Sequence, residues 1–531
     1  MGLLALNRVM SIQQDRRHRQ IQSRDYNCST AVVARRRKGK PRQQDDNPRG
    51  RKRMRRSVPE LPKDIWIDIL SRLPLQDASR AGCVSRIFLS ASRCHPNLTF
   101  TEGTLGLNGK VRGRDKRTRI FTNRVDNIMR KHSGAGVKTF TLCNWGSPID
   151  ASYLNRWLKI AVTPGIEELV LSVFITSGMY YNLSCPLLFN GSGNSIRHLN
   201  LSWCDFHPRT GLGCLTRLHL SQVQITGDEL GQLLSNSLAM EELELVNCHK
   251  IISLKIPCLL HRLNCLTVFW CIGLQVIENE APNVCVVDVD GTLLEKLRVG
   301  DLLQVKELKM FDETNLLHRA RSKLPFIMPN LETLNLYSAD EKVSTPLSAV
   351  KFLHLRNLEI LLEEGDRRGF SYDYFSLVYF LDACPILEDF VLCVSQTRVR
   401  QNLISVEDSH LRQMPEYHHS NLKNVKILGF CSAKSMVELT YHILENATSL
   451  ECLTLDAIYD RSSRSGAVRS CLHNKFGECR RVIGRTMMAH AHMGLSAIGR
   501  YVVEKVPSTV KLNVKKLCDH CHPMSHYLAF A

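Results

Sequence analysis

At 531 residues the chain is several times longer than an average domain of ~100 to 150 residues, which excludes a single small domain. Its apolar fraction of 44% and charged fraction of 23% lie near globular averages and exclude a wholly disordered or collagen-like chain. The net charge of +19 is concentrated: residues 1–57 hold 17 Lys and Arg against 4 Asp and Glu, or +13 of it, so the basicity marks a tail. That tail has few aromatics and no apolar periodicity, so it is expected to stay disordered. Its clusters Arg35-Arg36-Arg37-Lys38 and Arg51-Lys52-Arg53-Met54-Arg55-Arg56 suit a nuclear-import address or loose phosphate contact, with Arg51, Lys52, Arg53, Arg55 and Arg56 the import candidate. No run approaches the ~18 apolar residues of a membrane span, the opening Met-Gly-Leu-Leu-Ala-Leu is short for a signal peptide, and Leu6 stands where myristoylation wants Ser or Thr. Neither secretion nor membrane insertion is expected, and the nucleus, the cytoplasm or both are the expected location.

Order begins at Val58. Ile65, Trp66, Ile69, Leu70 and Leu73 form one helical stripe, with Pro62 and Asp64 at the N-terminal turn and Pro74 as the stop. A second helix is expected from Gln76 through Phe88, with Ala78, Ala81, Val84 and Phe88 on one face. Such a hairpin has too little surface for its own core, and its stripe should be completed by a partner. From Leu61 to Phe88 the segment resembles an F-box, matching at Leu61, Pro62, Asp64, Ile65, Ile69, Leu70, Leu73, Pro74, Arg80 and Val84. Ser85-Arg86 replaces the usual Cys-Lys, and Phe88 replaces the usual Trp. The resemblance implies docking of a Skp-type adaptor, and through it a cullin, by Leu61, Pro62, Ile65, Ile69, Leu70, Leu73, Pro74, Val84 and Phe88.

Residues 101–136 read as a connecting segment, with Phe121, Val125, Ile128, Met129 and His132 on a helix that caps the region C-terminal to it. From Val137 a unit of the form apolar-x-x-apolar-x-apolar recurs thirteen times, starting at residues 137, 166, 196, 215, 240, 263, 284, 305, 331, 355, 387, 422 and 450. Successive starts are 19 to 35 residues apart, centred on the ~20 to 29 of leucine-rich repeats. An extra copy, Leu294/Leu297/Val299, lies too near its neighbour to form its own coil. The expected fold is α/β: a short helical F-box hairpin (58–100), then an irregular solenoid of parallel strands (137–420). Residues 421–460, with a helix over Ser435 to Asn446, resemble the FBD segment of plant F-box proteins, and 461–531 read as a loop and helical cap.

The residue between the last two apolar positions of each unit should point away from the core onto a concave face. These are Thr141, Val170, Asn200, His219, Glu244, Thr267, Asp288, Lys309, Asn335, Glu359, Val391, Lys426 and Thr454. Their mixed character suits a protein or small-ligand surface rather than a nucleic-acid groove. Asn200, His219, Glu244, Thr267, Lys309 and Asn335 are the candidate substrate contacts.

The 20 cysteines fit buried thiols in a reducing compartment, many of them directly after apolar strands. Cys518 and Cys521, with His520, His522 and His526, give half of a zinc spacing without a second half, so no metal is assigned. Asp288-Val289-Asp290-Gly291-Thr292 resembles the start of a phosphatase motif but suits the turn after a strand. Without phosphate loop, nucleophile elbow or zinc-protease motif, no catalysis and no cofactor are expected. The resemblance implies the substrate-receptor subunit of an SCF-type ubiquitin ligase, its repeats holding a protein substrate. The alternative is a non-catalytic nuclear scaffold whose basic tail contacts nucleic acid.

Overall fold

An apolar-x-apolar strand buries its two apolar side chains on one face and needs a second layer to cover them. The computed structural model meets that need by stacking. It describes residues 61–107, 113–134, 136–176, 180–191, 193–292, 302–341, 350–363, 372–395, 411–414, 418–459 and 485–515. Among them one sheet holds fifteen strands, all parallel and each bonded to the next in chain order. They are β1 (Asn97–Phe100), β2 (Thr139–Ile149), β3 (Glu168–Ile175), β4 (His198–Ser202), β5 (Arg217–Ser221), β6 (Glu242–Val246), β7 (Cys265–Phe269) and β8 (Val286–Asp290). The series continues with β9 (Glu307–Thr314), β10 (Thr333–Asp340), β11 (Asn357–Glu363), β12 (Asp389–Ser395), β13 (Asn424–Leu428), β14 (Cys452–Asp456) and β15 (Lys511–Lys515). The molecule is a leucine-rich repeat solenoid, and its thirteen predicted units supply β2 through β14. The paired apolar residues, such as Leu218 and Leu220 or Leu243 and Leu245, are almost wholly buried. Each contributes ~1.5 to 3 kcal/mol of burial free energy to one continuous core.

The returns explain the uneven spacing. Helical returns occupy the longer units: α5 (Ala151–Ala161) after β2, the short α6 (Cys185–Phe189) after β3, α7 (Gly227–Ser235) after β5, α8 (Leu316–Ile327) after β9, the short α9 (Val378–Asp382) after β11 and α10 (Lys434–Asn446) after β13. In the shorter units after β6 and β7 the return is extended, and Ser253–Ile256 pairs in parallel with Val276–Asn279. A helix advances ~1.5 Å per residue and a strand ~3.3 Å, so a helical return uses more residues to cross the same layer. Between them, Trp203, Gln222, Asn247 and Trp270, one residue beyond four successive strands, all adopt left-handed backbone. Their amides bond to the next coil: Trp203 N to Ser221 O at 3.1 Å, Gln222 N to Val246 O at 2.7 Å and Asn247 N to Phe269 O at 2.8 Å. At Trp270 the side chain of Asp290 supplies the acceptor, 2.7 Å away, and also accepts from Thr292 N at 3.1 Å. The Asp-x-Asp-Gly-Thr segment is thus the end of β8 and the turn after it, with Asp290 buried in a structural role.

Three expectations change. The second F-box helix is two helices, α2 (Leu75–Ala81) and α3 (Arg86–Ser92), so the F-box is a trio with α1 (Lys63–Ser71). Gly82 ends α2, and the Ser85 hydroxyl caps α3 by accepting from Ile87 N at 3.1 Å, which breaks the run at Cys83-Val84. The helix α4 (Arg114–Lys131) is the crossover between β1 and β2 rather than a cap preceding the array, because β1 is the first strand. At the other end β15 pairs with β14 and provides the last strand among the described residues, after α11 (Arg485–Ala497). Leu294, Leu297 and Val299, the basic tail and the Cys518–His526 segment lie outside the described residues.

Candidate functional site

The F-box trio packs around Leu70, Ala78 and Ala91, with Trp66, Ile67, Ala81 and Phe88 against them. The Trp66 and Phe88 rings meet edge-to-face, 4.7 Å between centroids. The stripe read from the sequence therefore divides. Trp66 and Leu70 turn inward, whereas Leu61, Ile65, Ile69 and Leu73 form an exposed apolar row. Leu70, expected on the docking surface, is 4% exposed and belongs to the trio's own core, and Phe88 is half-buried against Trp66. Pro62 and Pro74, the N-caps of α1 and α2, are exposed, and Val84 is 79% exposed in the α2–α3 turn. Ile87 and Leu89 of α3 add to the same exposed set. Sequence reasoning missed them because one long helix was expected; the Gly82 and Ser85 breaks are the signal that finds them.

The trio is tied to the array. His95, in the place a repeat reserves for an apolar residue, is buried and accepts from Asn97 N through Nδ1 at 3.1 Å. Its Nε2 therefore carries the proton and donates to Leu73 O at 3.1 Å, while Asn97 Nδ2 donates to Ser71 O at 3.4 Å. Behind β2, burial opposes ionisation of Asp126, but the Trp157 indole at 3.1 Å and the Arg156 and Arg130 guanidinium groups outweigh it and hold its carboxyl below the usual range.

On the sheet face opposite the core, the thirteen predicted x residues stand in a single unbroken register. The rungs run Thr141, Val170, Asn200, His219 and Glu244, then Thr267, Asp288, Lys309 and Asn335. Glu359, Val391, Lys426 and Thr454 complete them, with Thr99 of β1 and Asn513 of β15 extending the row at either end. These side chains are less exposed than expected. Thr267 is buried, and the others of the candidate set are half-buried because neighbours in register are only ~4.8 Å apart. Several are already paired: His219 Nδ1 lies 2.7 Å from Glu244 Oε2, and Lys309 Nζ lies 2.5 Å from Glu307 and 3.9 Å from Asp288. Two residues further along each strand, Phe311, Tyr337, Leu361, Cys393 and Leu428 form a second row in register, apolar and unanticipated from the sequence. Phe311 and Tyr337 stack at 4.7 Å, and Leu361 and Cys393 pack with Tyr459 as a cluster separate from the main core.

Among the described residues no group of three or more His, Cys, Asp and Glu side chains is placed to hold a metal ion, and no helix is long and apolar enough to cross a membrane. Burial drives the Cys204 and Cys384 thiols upward, away from reactive thiolate. Arg51, Lys52, Arg53, Arg55 and Arg56 lie outside the described residues.

Comparison with known proteins places names on both parts. Residues 58–99 match the F-box domain model, and residues 128–519 match the model described as "At1g61320/AtMIF1, LRR domain". The FBD-associated F-box protein At1g61320 of Arabidopsis thaliana is 22% identical over 76% of this chain and 89% of its own. Its Arabidopsis relative At1g61330, carrying the same FBD-associated F-box description, is 22% identical over 75% of this chain and 90% of its own. The internalin inlF of Listeria monocytogenes is similar over 64% of this chain and 81% of its own, at 12% identity and a TM-score of 0.27. With a helical trio that matches the F-box and a repeat array matched along most of its length, the chain belongs to the F-box proteins with an At1g61320/AtMIF1-type leucine-rich repeat domain.

Proposed function

We propose that the chain is a substrate receptor of an SCF-type ubiquitin ligase. The F-box docks a Skp-type adaptor, the adaptor brings a cullin, and the array holds a protein substrate near chemistry that those partners perform. The receptor contributes proximity and orientation rather than a reacting group. The observation that carries this reading is the exposed apolar set Leu61, Ile65, Ile69, Leu73, Val84, Ile87 and Leu89 on a trio whose own core has only three fully buried residues. So much apolar surface on so small a unit marks an interface. F-box domains generally bind Skp-type adaptors, which suits this face. The register of the x row suggests that a substrate lies across several strands. Tyr337, Leu361 and Leu428 beside it would give that substrate apolar as well as polar contacts.

The test is affinity mass spectrometry of the full chain against a Leu61→Ala, Pro62→Ala variant. Adaptor peptides should be lost from the variant while substrate peptides persist, since neither residue is buried in the fold. Equal adaptor recovery from the two proteins would refute the reading.

A further inference from the structure

Where α1, α3 and the end of α4 come together lies a hollow of about 230 Å³, lined by Lys63, Arg86, Leu89, Ser90, Arg93, Cys94, Lys131 and Ser133. Four of these are cations, from three helices and the cap of one, and among the described residues no carboxylate lines the wall. None of the four makes an ion pair among the described residues, although ion pairs are frequent elsewhere on this surface. Helix dipoles account for only half of them. Arg93 is the C-cap of α3 and Lys131 lies in the last turn of α4, positions that favour a cation. Lys63 and Arg86 are the first residues of α1 and α3, where the dipole disfavours one. Among the described residues the hollow therefore gathers like charge without a paired carboxylate.

We infer that the hollow receives an acidic segment of the same adaptor that covers the apolar face, making the F-box interface bipartite; this rests on the ubiquitin-ligase reading above. Two observations select a protein carboxylate cluster. Leu89 forms both the wall of the hollow and part of the exposed apolar set, so an occupant continuous with the partner on that set uses both, whereas a small free anion has no use for the apolar wall. The chain's own residues 1–57 carry 17 cations against 4 acids, a charge that does not complement the hollow. Charge of this kind accelerates encounter and fixes orientation, while the apolar row supplies most of the burial.

The experiment measures affinity of the full chain for purified Skp-type adaptor at low and at high salt. Two charge-neutralising variants are compared, Lys63→Gln with Lys131→Gln and Arg86→Gln with Arg93→Gln. Each should bind about tenfold more weakly at low salt and show a flatter salt dependence. The charge-preserving pair Arg86→Lys with Arg93→Lys should retain most of the affinity. All these side chains are exposed, so unfolding temperatures should be unchanged and confirm that binding is read from folded protein. Unchanged affinity and salt slope in both neutralised variants, with binding still lost in Leu61→Ala, Pro62→Ala, would overturn the inference and leave the F-box reading standing. Failure of the unaltered chain to bind adaptor at all would instead remove both.

Discussion

His419 and His442 form a buried pair near the C-terminal end of the array, their Nε2 atoms 3.1 Å apart. Asn446 Nδ2 lies 3.2 Å from His442 Nδ1 and can only donate, so His442 donates from Nε2 and His419 accepts. Burial holds both imidazoles near a pKa of about 4, below their ordinary value of 6.5; the charge of His418 adds to the fall at His419, and the charges of His419 and His418 add to that at His442. The unfolded chain takes up protons at higher pH than the fold does. The pair's contribution is therefore whole above pH 6.5 and falls as pH drops toward 4, by about 3 kcal/mol for one imidazole. Chemical denaturation at pH 7 and near pH 4.5 should show this loss, and His442→Phe should flatten the slope. A variant with the same pH slope as the unaltered chain would show that the pair does not titrate with unfolding.

At the scale of elements, α3 is the most exposed to change. It has two turns, and Ser85 satisfies one of its free N-terminal amides. Ser85→Ala should cost about 1 kcal/mol of local stability. Hydrogen exchange should rise in 86–92 while β4 to β8 stay protected, and adaptor binding should weaken because Ile87 and Leu89 ride on this helix. The sequence made thirteen strands legible because each carried an apolar pair at the right spacing. It hid β1 and β15, where His95 and Thr509 occupy the first apolar place. His95 fills that place as a buried, fully bonded imidazole, a solution that an apolar pattern does not detect. The apolar face of the F-box was legible as a stripe, but its split into inward Leu70 and outward Ile69 depends on where α3 begins. The row from Phe311 to Leu428 was invisible for another reason: its residues share a face only through the register between strands, and no single repeat displays it.

For the whole molecule, the 1–57 segment adds charge without contributing an apolar periodicity to the array. Its removal should leave the unfolding temperature and adaptor affinity unchanged while reducing nuclear accumulation of a fluorescent fusion. A fall in unfolding temperature of several degrees would mean that the segment is part of the folded structure. The array itself has the energetics of a one-dimensional stack, in which each coil depends on its two neighbours. Damage in a central coil such as that of β7 should therefore divide protected from unprotected amides, whereas damage at β15 should remain at that end.

The bonds from His95 and Asn97 to Leu73 and Ser71 make the first rung of the sheet a fixed origin for the F-box. Fifteen parallel strands then count off distance along the sheet at ~4.8 Å each. A protein seated on the rungs around β5 lies some ten strands, or ~48 Å of arc, nearer that origin than one seated on β15. The array is in this sense a ruler. Under the proposed receptor role, the rung on which a captured protein lands sets which of its lysines come within reach of a transferring enzyme, and inserting or deleting one whole coil between F-box and landing site should move the modified lysine along the substrate without altering how tightly it is held.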